Sequence, residues 1–313
     1  MNYNSLKRII NRMFGTFSID SRGYSTSIEG AHISEHALET AKIIRGVERS
    51  PAIIIHGAMP RSGTVYTGEL LRLHPELYAY PNDIWEVPFL ELTGDLIDFQ
   101  NHFFHAYRQN KSKIGNHDFL PLFGSSLISY LYSYVPTGRR MLLKIPDVQY
   151  LNFFNLVFPY ENILLLLRDG RDAVSSTIRT WPENSFSNVC RLWDYSARMI
   201  LNYKLECTGM ANRCFTTKYE DVVRAPETFV KDICKCYGLN NEVYPYDKIN
   251  EISIRGSSAI KSDGRVTWKA VEKPKNFSSV GRWQDWSVRQ KKIFKKLAGQ
   301  TLIDAGYSNN HDW

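Results

Sequence analysis

The stretch PAIIIHGAMPRSGTVYTGELLRLHP, residues 51–75, decides how the rest of the chain is read. Ile53, Ile54 and Ile55 form an unbroken apolar run, the pattern of a short strand buried on both faces. A turn bounded by Gly57 and Gly63 follows, and then Leu70, Leu71 and Leu73 fit a helix. Strand, glycine turn and helix N-terminus together make an anion site. The first N–H groups of a helix lack internal acceptors, and its dipole favours negative charge. Arg61 adds a permanent cation with five donors inside that turn. The segment suits a phosphate-like group.

What the turn lacks narrows the ligand. A nucleoside-triphosphatase loop needs G-x-x-x-x-G-K-[ST], with the Lys reaching the outer phosphates and the hydroxyl holding Mg²⁺. Here Gly63 is followed directly by Thr64, and the basic residue lies two positions before that glycine. The dinucleotide fingerprint G-x-G-x-x-G is absent as well. A second segment, NILLLLRDGRDAVSSTIRTW at residues 162–181, repeats the strand–turn–helix pattern. Arg168 stands at the C-terminal edge of its strand, where ligands bind in open α/β sheets. Ser176 follows about two helical turns later. An arginine and a serine hydroxyl together suit a second, isolated phosphate. Two phosphate sites on two strand ends imply a ligand phosphorylated at two places.

PRSGT followed by LLLLRDGRDAVSS resembles the sulfotransferases that use 3′-phosphoadenosine 5′-phosphosulfate. The resemblance is closer to the glycan and protein-tyrosine branches than to the cytosolic steroid and phenol enzymes. Leu143-Lys144-Ile145-Pro146, Thr217-Lys218-Tyr219-Glu220-Asp221 and Gly281-Arg282-Trp283 match three further segments in the same order. The likeness runs over residues 51–307. It implies an α/β fold, three-layered and P-loop-NTPase-like around a central parallel sheet. Arg61, Ser62, Gly63, Thr64, Val65 and Tyr66 would then cradle the 5′-phosphosulfate, and Arg168 and Ser176 the 3′-phosphate. Tyr66 and Tyr219 would flank the base, and Ser258 and Arg282 would reach back to the cofactor. Val65 departs from the family, which often has a second Thr there, so one side-chain donor is lost. No metal is implied.

Sulfuryl transfer resembles phosphoryl transfer in asking the protein mainly to position groups and stabilise charge. Arg61 and the loop N–H groups answer the charge on the leaving phosphate, and Lys144 the transferring oxygens. The acceptor hydroxyl needs a base. HPELYAYPNDIWEVPFL, residues 74–90, offers Glu76, Asp83 and Glu86. Asn82-Asp83-Ile84-Trp85 best resembles the family's Asn-Glu-aliphatic-aromatic segment, which puts Asp83 first and Glu86 second. Glu76, His56, His74 and His105 read as structural. A saccharide hydroxyl is the first expectation for the acceptor, because Tyr78, Tyr80 and Trp85 would suit sugar faces. Small alcohols, lipids and peptide tyrosine stay open. A P-loop kinase of small metabolites and a catalytically inactive nucleotide-binding protein are the alternative readings.

The remaining sequence sets the frame. The 313 residues carry a formal charge of +7, which suits a polyanionic ligand. No nucleic-acid recognition motif accompanies the basic and aromatic residues. Cys190, Cys207, Cys214, Cys234 and Cys236 match neither a zinc knuckle nor a CxxC motif, so buried thiols in a reducing compartment are expected. No apolar run approaches membrane-spanning length, and the expected location is cytoplasmic. Residues 1–50 read as a leader with a helix at Glu35–Arg45, and its basic, mildly amphipathic start as a surface helix. Residues 51–313 read as the domain. Within it, residues 253–286 look like a long structureless lid carrying Arg255, Ser257, Ser258, Lys261, Arg265 and Arg282, pinned by Trp268, Trp283 and Trp286. The sequence does not fix the oligomeric state.

Overall fold

The structure is a computed structural model that describes residues 33–207, 213–260, 266–274 and 277–313. Five parallel strands form the centre: β1 (Ile53–Gly57), β2 (Leu77–Ala79), β3 (Arg140–Ile145), β4 (Asn162–Leu167) and β5 (Cys214–Lys218). Their order is β2-β3-β1-β4-β5. Every residue of β1, β3 and β4 is buried, in keeping with their runs of Ile and Leu, and Arg140 and Lys144 of β3 are buried with them. Neighbouring side chains on a strand point to opposite faces. Ile54, Leu143 and Leu165 therefore join one apolar cluster, while Ile53, Ile55, Leu142 and Leu164 join another.

Helices cover both faces. They are α1 (Glu35–Arg45), α2 (Thr64–Arg72), α3 (Thr93–Ala106), α4 (Phe119–Tyr132), α5 (Phe154–Val157), α6 (Gly170–Thr180), α7 (Phe186–Glu206), α8 (Tyr219–Arg224), α9 (Pro226–Tyr237) and α10 (Val288–Asp304). Leu70 and Leu71 of α2, Val222 of α8 and Phe229, Val230 and Ile233 of α9 belong to one cluster. Residues of α4, α6, α7 and α10, including Ile128, Val174, Trp193 and Phe294, belong to the other. Each fully buried Leu, Ile or Phe contributes about 1.5–3 kcal/mol, so the two clusters hold the three layers together. None of the described helices is long and apolar enough to cross a membrane.

Local signals and packing agree for most elements. Ser34 caps α1 by accepting from the Ala37 N–H, and Gly46 ends it at φ 92°. This part of the leader is packed on the domain: α1 lies against α4, and buried Arg45 pairs with buried Glu161 at 2.7 Å. Gly238, at φ 66°, ends α9. Residues 1–32, with the amphipathic leader start, lie outside the described residues, as do Lys261 and Arg265.

One element differs from its expectation. Ile254–Ile260 and Val266–Val271 pair as an antiparallel hairpin, β6 and β7, where a structureless lid was expected. The pairing is irregular, with register shifts near Gly256, which is why alternation is faint in the sequence. The Asp263-Gly264 dipeptide between the two runs is the hairpin signal the sequence does offer.

Sheet order fixes where a ligand binds. β1 lies between β3 and β4, so winding reverses there, and such sheets bind ligands beyond the strand C-termini at that reversal. The turn after β1, Lys144 near the end of β3 and Arg168 just after β4 meet at that edge.

Candidate functional site

A cavity of about 610 Å³ opens over these strand ends. Its donor-side wall is the turn between β1 and α2. Arg61 holds a left-handed φ of 77° and Gly63 one of 97°. At Gly63 a Cβ would stand 2.1 Å from the Tyr219 ring, so only glycine lets the turn pass beneath that tyrosine. Gly63 is the N-cap of α2, and no side chain caps that helix. Its first N–H groups thus face the cavity rim occupied by Gly63, Thr64, Val65 and Tyr66. Ser62 is turned inward, its Oγ accepting from the Met59 N–H at 3.1 Å, so it builds the turn rather than lining the cavity.

Arg61 donates through Nε to Ser176 Oγ at 3.3 Å, and its guanidinium lies 5.3 Å from the Trp268 ring centroid. Burial, then the charges of Arg168 and Arg282, push its pKa down to about 10. Ser176 is buried on α6 and does not line the cavity; it orients Arg61. Arg168 donates to the Arg61 carbonyl at 2.7 Å and to the Ser279 carbonyl at 2.5 Å, and lies 4.8 Å from the Tyr219 centroid. Its Nε is buried without a hydrogen-bond partner. Tyr219 donates to Ser279 Oγ at 2.9 Å and meets Tyr66 edge to face at 6.3 Å.

The turn after β4 is fastened from below. Asp169 caps α6 through the Arg171 N–H and pairs with the Arg171 side chain at 2.6 Å. Asp172 accepts from the N–H groups of Gly281, at 2.8 Å, and Trp283, at 3.3 Å, and so fixes the chain that supplies Ser279. Burial pushes the Asp172 carboxyl above its usual range. Arg282 donates to the Ser278 carbonyl at 3.0 Å and lies outside the cavity lining. Burial, then Arg168 and Arg179, lower its pKa. Ser258 lies in β6, and its side chain is outside what the structure describes.

Across the cavity, Lys144 donates to Glu86 Oε1 at 2.9 Å, with the lysine 2% and the carboxylate 25% exposed. Lys144 Nζ lies 5.6 Å, and the Arg255 guanidinium 5.2 Å, from the Trp85 ring centroid. Trp85 in turn stacks on Tyr80 at 4.2 Å and 15°. Asp83, expected ahead of Glu86 as base, is exposed and does not line the cavity. Tyr80, Asn82 and Asp83 all have φ between 53° and 58°, and this left-handed run turns Asp83 outward and brings Trp85 and Glu86 in.

The other expected bystanders have structural partners or are remote. His56 lies 2.8 Å from the Asp147 carbonyl, and burial lowers its pKa to about 4. His74 accepts from the Glu76 N–H at 3.1 Å and lies 3.1 Å from the Asn240 carbonyl. His105 is exposed, and none of the three lines the cavity. Ser279, Asp172 and Trp181 are contributors that the sequence reading did not single out. Asp172 sits inside the RDGRD run, so its spacing was visible, but its partners are more than a hundred residues away.

Fold and site define a three-layer α/β protein whose sheet edge presents an uncapped helix N-terminus beside clustered arginines, chemistry suited to a phosphate-like group. The sequence profile of the sulfotransferase family matches residues 51–242, more than half of the chain. The chain belongs to that family. Protein-tyrosine sulfotransferase 1 of Danio rerio is 20% identical over 240 residues, 74% of this chain and 65% of its own length. Protein-tyrosine sulfotransferase A of Caenorhabditis elegans is 22% identical over 257 residues, 79% of this chain. The chain spans 65% of the length of each. Among solved structures, the sulfotransferase domain of the Synechococcus PCC 7002 olefin synthase is 18% identical, covering 82% of this chain and 96% of that one, with a TM-score of 0.49.

Proposed function

We propose that this chain transfers a sulfuryl group from 3′-phosphoadenosine 5′-phosphosulfate to an acceptor hydroxyl, with Glu86 as the base. The observation that carries the reading is the Glu86–Lys144 pair in the same cavity as Arg61, Arg168 and the open N-terminus of α2. The residues fit the donor. Arg168 Nε is buried with no hydrogen-bond partner among the described residues, and burial, then the charge of Arg168, lowers the pKa of both Arg61 and Arg282, a repulsion that a polyanion relieves. When bound, the donor supplies an activated sulfuryl group on a phosphate leaving group.

The rest of the chemistry falls to the protein. Arg61 and the first N–H groups of α2 would hold the 5′ end, Arg168 the 3′-phosphate, and Tyr66 and Tyr219 the base. Arg61 and those N–H groups stabilise charge that grows as the leaving oxygen separates. Glu86 takes the acceptor proton, and Lys144 holds its carboxylate in place. The pair is a half-open ion pair, so the carboxylate keeps lone pairs for an incoming hydroxyl.

For the acceptor, the phenolic hydroxyl of a peptide tyrosine leads, supported by the two relatives named protein-tyrosine sulfotransferases. The saccharide reading loses its main support. Tyr80 is 5% exposed and spends its face on Trp85, and Tyr78 does not line the cavity, so only Trp85 of the three aromatics faces a ligand there. The test is a transfer assay with labelled donor on a tyrosine peptide, an oligosaccharide and a small phenol. Label on the tyrosine peptide supports the reading. Label on the sugar alone overturns the acceptor assignment, and no transfer to any hydroxyl, with the nucleotide bound, favours an inactive binding protein.

A further inference from the structure

The donor site rests on a clasp that does not touch the cavity. Ser279 supplies the carbonyl held by Arg168 and the hydroxyl held by Tyr219, so its position fixes the orientation of both. The chain after it is fastened by the Asp172 carboxylate through Gly281 and Trp283. One face of Trp283 then meets the Arg171 guanidinium at 4.0 Å. Arg171 is itself fixed by Asp169, and the Trp313 ring lies 4.7 Å from the same guanidinium. The two indoles meet edge to face at 5.3 Å and 82°. Trp313 is further seated against Phe294 at 5.9 Å and under Lys295 at 4.9 Å, both on α10.

We propose that Trp313 is a positioning residue for the donor site: with Arg171 and Trp283 it closes a cation–π clasp that sets Ser279, and through it Arg168 and Tyr219. This rests on the nucleotide reading of that site. Arg171, Trp283 and Trp313 do not line the cavity, so the clasp acts through the 279–283 chain and through the 168–171 turn that Arg171 and Asp169 share with Arg168. Three features favour a positioning device over filler. Arg171 sits between two aromatic rings, an arrangement stronger than ordinary apolar contact when partly desolvated. The cation is spent on rings and on Asp169, not on a cavity ligand. Hydrogen bonds at Asp172 and Ser279 link the clasp to the site. Losing Trp313 therefore loosens the donor end and leaves the Glu86–Lys144 pair intact.

The experiment is calorimetric titration of the full chain with adenosine 3′,5′-bisphosphate, beside donor-dependent kinetics and a melting curve, for wild type, Trp313→Ala and Trp313→Phe. The alanine variant should weaken the bisphosphate about tenfold, equivalent to ~1.4 kcal/mol. The donor KM should rise in step while kcat at saturating donor holds, and the phenylalanine variant should recover most of the loss. A wild-type affinity in Trp313→Ala overturns the clasp, as does a fall in kcat with donor KM unchanged. If the alanine variant does not fold, Trp313→Phe carries the test: about threefold weaker binding supports the clasp, and unchanged binding overturns it. A wild-type chain that binds no bisphosphate overturns the nucleotide reading together with the clasp, whereas micromolar wild-type binding with no mutant effect overturns the clasp alone.

Discussion

The two halves of the cavity are built by different means. The donor half stands on regular elements: a turn between β1 and α2, the first residue beyond β4, and the start of α6. Its side chains are held by one another across the sheet edge, Arg168 by the Arg61 and Ser279 carbonyls and Arg61 by Ser176, above strands buried on both faces. The acceptor half stands on an irregular segment, where Tyr80, Asn82 and Asp83 take left-handed angles and Glu86 is held by Lys144, 58 residues away. The hairpin spans the two, with Arg255 over Trp85 on one strand and Trp268 over Arg61 on the other. Regular elements give a rigid grip on the part of the reaction that does not vary. An irregular segment lets the acceptor site change without disturbing that grip.

The largest effect should come from the acceptor half. Glu86→Gln removes the proposed base but keeps the shape, and kcat should fall about 10²- to 10⁴-fold with bisphosphate affinity unchanged. Asp83→Asn, on the exposed side of the same segment, should change kcat less than twofold. Equal losses in both variants would erase the distinction between them. Gly63→Ala attacks the donor half instead. A methyl group at φ 97° and 2.1 Å from Tyr219 must displace the ring or the turn, so bisphosphate binding should weaken about a hundredfold. Binding within a few-fold of wild type would mean that the turn is less fixed than its geometry implies.

His56 tests the sheet beneath the donor turn. Its folded pKa of about 4 lies below the ordinary 6.5, so the unfolded chain binds the extra proton first as acid is added. Its share of stability is complete above pH 6.5 and is lost as pH falls towards 4, about 3 kcal/mol in all. The melting temperature of wild type should therefore drop between pH 7 and 5 more steeply than that of His56→Gln. Parallel curves would remove His56 from the account. A modest effect is expected at Tyr219→Phe, which loses one hydroxyl bond to Ser279 and keeps the ring over Gly63. Donor KM should rise a few-fold, in line with about 1 kcal/mol for one neutral hydrogen bond.

The same contrast explains what the sequence revealed. Isoleucine and leucine runs gave β1 and β4, and RSGT and RDGR place Arg61 and Arg168 on the cavity wall, because each motif lies within a few residues of its own strand. Ser62 and Ser176 carry the right chemistry at the right spacing, yet burial turns both hydroxyls toward the protein rather than the cavity. That direction depends on neighbouring layers and leaves no local trace. Asp83 and Glu86 are three positions apart, and the choice between them turns on left-handed angles at residues that are not glycine. No periodicity records such angles. The hairpin was hidden by its shifted register.

The most direct test of the central claim is calorimetric titration of the chain with adenosine 3′,5′-bisphosphate beside Mg²⁺-ATP, repeated on Arg168→Ala. The account predicts micromolar binding of the bisphosphate, no comparable binding of Mg²⁺-ATP, and a loss of at least about a hundredfold in the variant. Preference for Mg²⁺-ATP, or bisphosphate binding indifferent to Arg168, would contradict it.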